Sequence, residues 1–357
     1  MATTLTNNLL AFYFSCQLPD LEWNTDSESL TVSLYCPSNG GDLLVVNLAA
    51  VGGKVKLWEV RETVERWMRH RDRPVIPLVV RWKEVSAGGY QYANATPRVY
   101  YCSEAIGESC SNWFQYHFFS TATEKILPVD GATERLYFTN PYNFIFTPKA
   151  LVTYRLQDGT VRGEDLDLDN VQAVPGDVSL VSFTVDALRA RVEALLETSV
   201  EVIAVTVRVG QRSMVYYKPE LPATAAFAFM NMFGVTEVAW LHCATTTKRK
   251  DGRKIANVAR RAAVYDMDLE VTHEVETAPL PLATAQWLAQ LVTSPKVWLA
   301  DGTPVIITDG TSEVNDDHSV MNTVKFTWKR DDNRGTLGES AEDIQIFTQP
   351  PFSFQFD

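Results

Sequence analysis

Apolar and polar side chains alternate most cleanly over residues 200–209, VEVIAVTVRV, where Val, Ile and Ala interchange with polar or charged groups. A period of two sends successive side chains to opposite faces of a strand. Residues 214–217 follow across Gly210-Gln211 and complete a hairpin. The same reading predicts strands over 9–17, 30–36, 43–48, 75–82, 99–102, 113–119 and 136–146. Further strands are expected over 151–156, 180–184, 235–245, 297–299, 305–307 and 321–329, with an extended stretch over 254–276. In the strand over 321–329, Val324, Phe326 and Trp328 share one face, while Lys325, Thr327 and Lys329 share the other. Turn residues punctuate this pattern at Asp158-Gly159 and Asp301-Gly302, both hairpin signals.

The period becomes helical in four places. Val64, Trp67 and Met68 make an apolar stripe over 60–70, which Arg73-Pro74 ends. Leu188, Val192, Leu195 and Leu196 do the same over 185–197. Residues 223–233, ATAAFAFMNMF, read as a buried helix closed by Gly234. Residues 281–293 carry Ala285, Leu288, Ala289 and Val292 on one face, and Pro295 stops them. The expected fold is therefore mainly β, made of β-sandwich-like domains with a few short helices. Four segments follow: 1–148 and 149–221, each β-rich with one helix; 222–332, an α+β region; and a polar arm over 333–357. The first two share a strand–helix–strand order, with Trp58-Glu59-Val60 and Phe183-Thr184-Val185 at matching places, which admits a duplication.

A length of 357 residues exceeds one ordinary core and fits two or three. The net charge of −12 repels phosphate, so nucleic acid is not expected as a partner. The exception is local: Lys248, Arg249, Lys250, Arg253 and Lys254 surround Asp251-Gly252, with Arg260 and Arg261 beyond. These read as a basic hairpin tip, either merely solvated or docking an acidic neighbour such as another copy of the chain. The first 23 residues hold no Lys or Arg and only a six-residue apolar stretch, so neither a leader nor a membrane span is expected. Five cysteines with no C-x-x-C exclude a zinc ribbon, and reduced thiols are expected; Cys102 and Cys110 are close enough in sequence to bridge, though nothing requires it.

Candidate chemistry is sparse. Asp165, Asp167 and Asp169 alternate with Leu166 and Leu168, so their carboxylates share one strand face. They could hold a calcium ion, but they equally suit a solvated sheet edge that resists aggregation. Asp316, Asp317 and His318 could be ligands or simple turn residues. The five histidines are scattered, no phosphate loop occurs, and Cys110 with His117 lacks a third orienting group, so catalysis and cofactors are not expected. Trp113, Phe114, Tyr116 and Phe118 crowd one run that could present an aromatic platform to sugars or partners, or fill a sandwich core. Phe352, Phe354 and Phe356 sit between prolines and the chain end, as in an arm that docks in a groove.

Residues 222–332 bring a family to mind through their order. FAFMNMFGVTEVAWLHC, a basic turn, HEVETAPL, a helix with Gln286-Trp287-Leu288, SPKVWL and a closing VKFTWK together resemble tail proteins of bacteriophages, of the distal-tail or baseplate kind. The resemblance implies a non-catalytic virion component, made in the host cytoplasm, that assembles with itself as a ring or other homo-oligomer and with neighbouring tail proteins. It carries over no catalytic residue. The rival reading from the aromatic run is a carbohydrate-binding or adhesin-like sandwich module.

Overall fold

The structure is a computed structural model that describes residues 3–39, 41–84, 89–141, 147–169, 171–172, 176–258, 261–313 and 321–330. It is mainly β, with short helices between sheets.

The first ten strands are β1 (Thr4–Leu5), β2 (Phe12–Phe14), β3 (Leu21–Asn24), β4 (Ser29–Cys36), β5 (Gly41–Ala49), β6 (Lys54–Leu57), β7 (Val75–Pro77), β8 (Val79–Glu84), β9 (Gln91–Tyr92) and β10 (Arg98–Tyr100). They form three small sheets, ordered β1-β3-β6, β5-β4-β8-β9 and β2-β10-β7. Leu30, Val32 and Leu34 on β4 alternate inward and meet Trp23 and Val55 in a closed core. Helix α1 (Val60–His70) lays Val60, Val64 and Met68 into that core; of the predicted stripe, Val64 and Met68 are buried and Trp67 is only partly so. Its backbone enters through Glu59 in the left-handed region, φ 58°.

The second core draws on both sides of position 148. Helix α2 (Cys110–Tyr116), β11 (Glu124–Ile126) and β12 (Thr133–Thr139) precede it; β13 (Lys149–Arg155), β14 (Val161–Asp167), β15 (Val171–Gln172), β16 (Val178–Thr184), helix α3 (Val185–Leu196), β17 (Glu201–Val209) and β18 (Arg212–Tyr217) follow. A five-stranded sheet runs β11-β18-β17-β13-β14, and β12-β16-β15 packs over it. The predicted hairpins 13–14 and 17–18 both form, with Tyr154 opposite Arg162 and Val207 opposite Met214. Thr184 caps α3 by accepting a hydrogen bond from the Ala187 N–H at 3.2 Å, and Leu188 and Val192 are buried beneath it. Both strand–helix–strand units connect different sheets, but β6 is an edge strand and β16 a central one, so their surroundings differ.

The second core continues onto one antiparallel sheet of β19 (Ala225–Met230), β20 (Thr236–Leu241), β21 (Cys243–Val258), β22 (Arg261–Thr277), β23 (Val297–Leu299), β24 (Pro304–Glu313) and β25 (Thr323–Arg330), ordered β20-β19-β23-β24-β25-β22-β21. Helix α4 (Leu282–Thr293) buries Ala285, Trp287, Leu288 and Leu291 against it.

Two expectations of element type are overturned. Residues 223–233 form strand β19 rather than a helix. Ala226 to Met230 are buried on both faces, so the run has no amphipathic period to distinguish strand from helix. Gly234 serves the turn into β20, at φ 72°, with its N–H bonded to the Asn231 carbonyl at 3.0 Å. Conversely, residues 110–116 are helical, although a strand is expected from 113. Ser109 caps this turn by accepting from the Asn112 N–H at 3.3 Å, and Cys110 and Phe114, four apart, face inward together.

Candidate functional site

The aromatic run is mostly interior. Phe114 and Phe118 are 2% and 3% exposed, and Trp113 is half-buried, stacked on His117 at 4.2 Å between ring centres. Phe114 packs edge-on against Tyr100 at 4.5 Å and against Phe14 at 5.5 Å. Of the four rings singled out in the sequence, only Tyr116 is exposed. The rings therefore fill a core where the first strands meet the rest of the chain and make no flat platform for a sugar. The buried Arg212 guanidinium closes that core, donating to the carbonyls of Phe114, Thr139, His117 and Val209. Desolvation pulls it down to about 10, still cationic at neutral pH.

Asp165, Asp167 and Asp169 do lie together on the solvent face of β14 and its continuation, with Leu166 and Leu168 buried behind them. Strand β14 ends its sheet, so the carboxylates line an open edge. Lys149 reaches Asp167 at 3.8 Å and Arg191 reaches Asp169 at 3.7 Å. Among the described residues, no group of three or more His, Cys, Asp or Glu is arranged to hold a metal ion. Asp316, Asp317 and His318, and the arm with Phe352, Phe354 and Phe356, lie outside the described residues.

The basic segment is not a hairpin tip. Lys248, Arg249, Lys250, Arg253 and Lys254 all belong to β21, whose pairing with β22 runs unbroken through Asp251 opposite Leu269 and Gly252 opposite Asp268. The chain reverses between Val258 and Arg261. The Asp-Gly turn signal is outweighed by pairing that remains available on both sides. Strands of 16 and 17 residues result. Strand β25 pairs with β22 only from His273 to Glu276, so the outer part is a two-stranded ribbon. Lys248, Arg249 and Lys250 are exposed at its base, and Lys248 contacts Glu274 across the pair.

A constellation that the sequence does not announce lies where the edge strands β11 and β20 meet. Lys125 on β11 is 2% exposed, and its ammonium sits 2.6 Å from Glu237 on β20 and 3.5 Å from Glu134 on β12. Glu237 also accepts from Asn231 at 2.7 Å and from the Trp287 indole N–H at 3.1 Å. Glu134 accepts from the Tyr216 hydroxyl at 3.0 Å. The ammonium rests over the Trp287 ring, 4.9 Å from its centre. Burial alone would lower Lys125, but the two carboxylates hold it above its ordinary range. Burial pushes the Glu134 carboxyl up, against the pull of Lys125 and Tyr216. The Lys125 ammonium thus lies between two carboxyl groups, each of which has a further hydrogen-bond donor, so no buried charge is left without a partner. Such a set can hold two sheets in register; sealed from water and substrate alike, it has no reactant to act on. In sequence its only trace is a charged residue at an inward strand position, Lys125 and Glu237 being 112 residues apart.

Neither a protein-family model nor a curated protein sequence matches the chain. Among the described residues no helix is long and apolar enough to cross a membrane.

Proposed function

We propose that the chain is a structural assembly component, of the phage tail or baseplate kind, which works by binding copies of itself and neighbouring tail proteins in the virion, without catalysis or cofactor. The observation that carries this reading is the ribbon β21–β22. Its outer eight residues per strand, 251–258 on one side, extend about 27 Å at the usual rise per residue. A two-stranded ribbon is marginally stable in water by itself. Both of its edges there offer unpaired backbone groups, which are templates for another strand. Lys248, Arg249, Lys250, Arg253, Lys254 and Arg261 belong to the strands of this ribbon, in a chain of net charge −12. Their complement is an acidic face, and a second copy supplies one. The resemblance of residues 222–332 to distal-tail and baseplate proteins supports the same reading.

The test is oligomeric size by light scattering, comparing the full chain with a variant in which residues 251–269 are replaced by a tight Asn-Gly turn, which keeps Lys250 opposite Glu270. The expected result is a defined oligomer for the full chain and a monomer for the shortened one, with unchanged far-ultraviolet circular dichroism. A full chain that stays monomeric at high concentration, or an oligomer that survives the shortening, overturns the assignment of the ribbon as the assembly element.

A further inference from the structure

Strand β14 leaves one side of its backbone open. The Leu168 N–H donates to the Pro148 carbonyl at 2.8 Å, and the Leu156 N–H donates to the Thr160 carbonyl at 2.8 Å. Even-numbered residues of β14 therefore turn their backbone groups toward β13, in the register that sets Glu164 opposite Val152. Val161, Gly163, Asp165 and Asp167 turn theirs away, at the edge where the sheet order ends. Arg191 donates to the Asp167 carbonyl at 2.6 Å and closes one end of that edge. Val161, Gly163 and Asp165 remain exposed along it.

Strand β21 ends the seven-stranded sheet with an edge of the opposite charge. The Ala278 N–H donates to the His242 carbonyl at 2.8 Å, so even-numbered residues of β21 face β22. Thr247, Arg249, Asp251 and Arg253 turn their backbone groups outward, and Lys248, Arg249 and Lys250 are exposed. In an antiparallel pair, residues that exchange hydrogen bonds stand directly opposite each other. Odd-numbered residues of the two edges must therefore meet. Setting Asp165 opposite Arg249 also sets Glu164 opposite Lys250, Gly163 opposite Asp251 and Arg162 opposite Gly252. Two pairs of opposite charge then form and no like charges meet. A slip of two residues sets Asp165 opposite Asp251 in one direction and Arg162 opposite Lys250 in the other. Like charges directly opposite each other oppose pairing, so one register stands out.

We propose that edge β14 of one copy receives edge β21 of a second copy as an added antiparallel strand, with residues 161–167 against residues 247–253. This rests on the reading of the ribbon as the assembly element, and it names the surface that receives the ribbon. The backbone ladder supplies the attraction, and the charges choose the partner edge and its register. Each copy carries one acidic and one basic edge, so the contact runs head to tail. Such a contact closes into a ring or extends as an open chain, according to the rotation between copies. The five-stranded sheet of one copy continues into the seven-stranded sheet of the next.

The test uses two charge-reversed forms of the full chain, sized by light scattering. Glu164→Lys with Asp165→Lys makes the β14 edge basic, and Arg249→Glu with Lys250→Glu makes the β21 edge acidic. Each form alone sets like charges across the contact and should be monomeric, with the far-ultraviolet circular dichroism of the wild type. Mixed in equal amounts, each form offers the edge that the other lacks. The oligomer should return, with both forms present in equal number by native mass spectrometry. A mixture that stays monomeric, or either form alone at the wild-type size, overturns the proposal. Should a reversal alter the circular dichroism, Glu164→Gln with Asp165→Asn removes the same charges and should lower the oligomer fraction; an unchanged fraction overturns the contact. If the β14 forms keep the wild-type size while the chain shortened at 251–269 is a monomer, the ribbon binds another surface and only this contact falls. A wild-type chain that is itself monomeric at high concentration removes both the contact and the ribbon's role.

Discussion

Lys125, Glu134 and Glu237 show how much one side chain can matter in a dry interior. Removing one partner of a buried ion pair strands the other charge, at a cost of about 3–5 kcal/mol. Lys125→Met leaves Glu237 facing Glu134 with no cation between them, so urea unfolding should show a loss of that size. The pH dependence has a definite sign. Glu134 binds its proton more tightly in the folded chain than at its ordinary value of 4.5. Its stabilising contribution is complete below that value and is lost as pH rises through the raised folded value. Glu134→Gln keeps the neutral form at every pH. The urea midpoint of the variant should therefore fall less than that of the wild type as pH rises from 4.5 toward neutrality. A fall of equal steepness in both proteins would show that Glu134 is not the titrating group.

Elements were legible where period and punctuation agreed. Helices α1 and α3 lie where their stripes predict, because Val64 with Met68 and Leu188 with Val192 fix one face, and a cap or proline fixes an end. Strand β25 buries Val324, Phe326 and Trp328 as its alternation requires. Strand β19 was not legible, because AAFAFM is apolar on both faces, and only the α4 helix above it and its sheet neighbours decide its form. The ribbon is not legible in the sequence because Asp251-Gly252 signals a turn locally, while the register is settled over more than thirty residues of paired strand. The buried charges were invisible for a related reason: Lys125 acquires meaning only beside residues distant in sequence. One close approach within the third sheet is testable. Gly310 on β24 lies under Val292 of α4 so tightly that a methyl group there would collide with the valine side chain. Gly310→Ala should cost about 1–3 kcal/mol by overpacking. Adding Val292→Ala should recover part of that loss, as a double-mutant cycle would measure.

Across the whole molecule, one continuous apolar core runs from Phe118 to Trp328, joining the middle sheets to the third. Strands β11 and β12 precede position 148, yet they supply Lys125 and Glu134 to partners that follow it. A fragment beginning at residue 149 lacks both strands. It should lose the sharp near-ultraviolet circular dichroism of packed aromatics while keeping strand content, the mark of a loosened core. A fragment beginning near residue 103 retains them and should keep that signal.

The ribbon also has a mechanical consequence. A pull along its length acts parallel to β21, β22 and β25, so the cross-strand hydrogen bonds of these ladders share the load side by side instead of tearing one after another. Force applied at the tip passes through the seven-stranded sheet to its far edge at β20, where Lys125 grips Glu237. The ribbon is thus a lever with a stiff root, and a pull on its end is carried into two sheets at once.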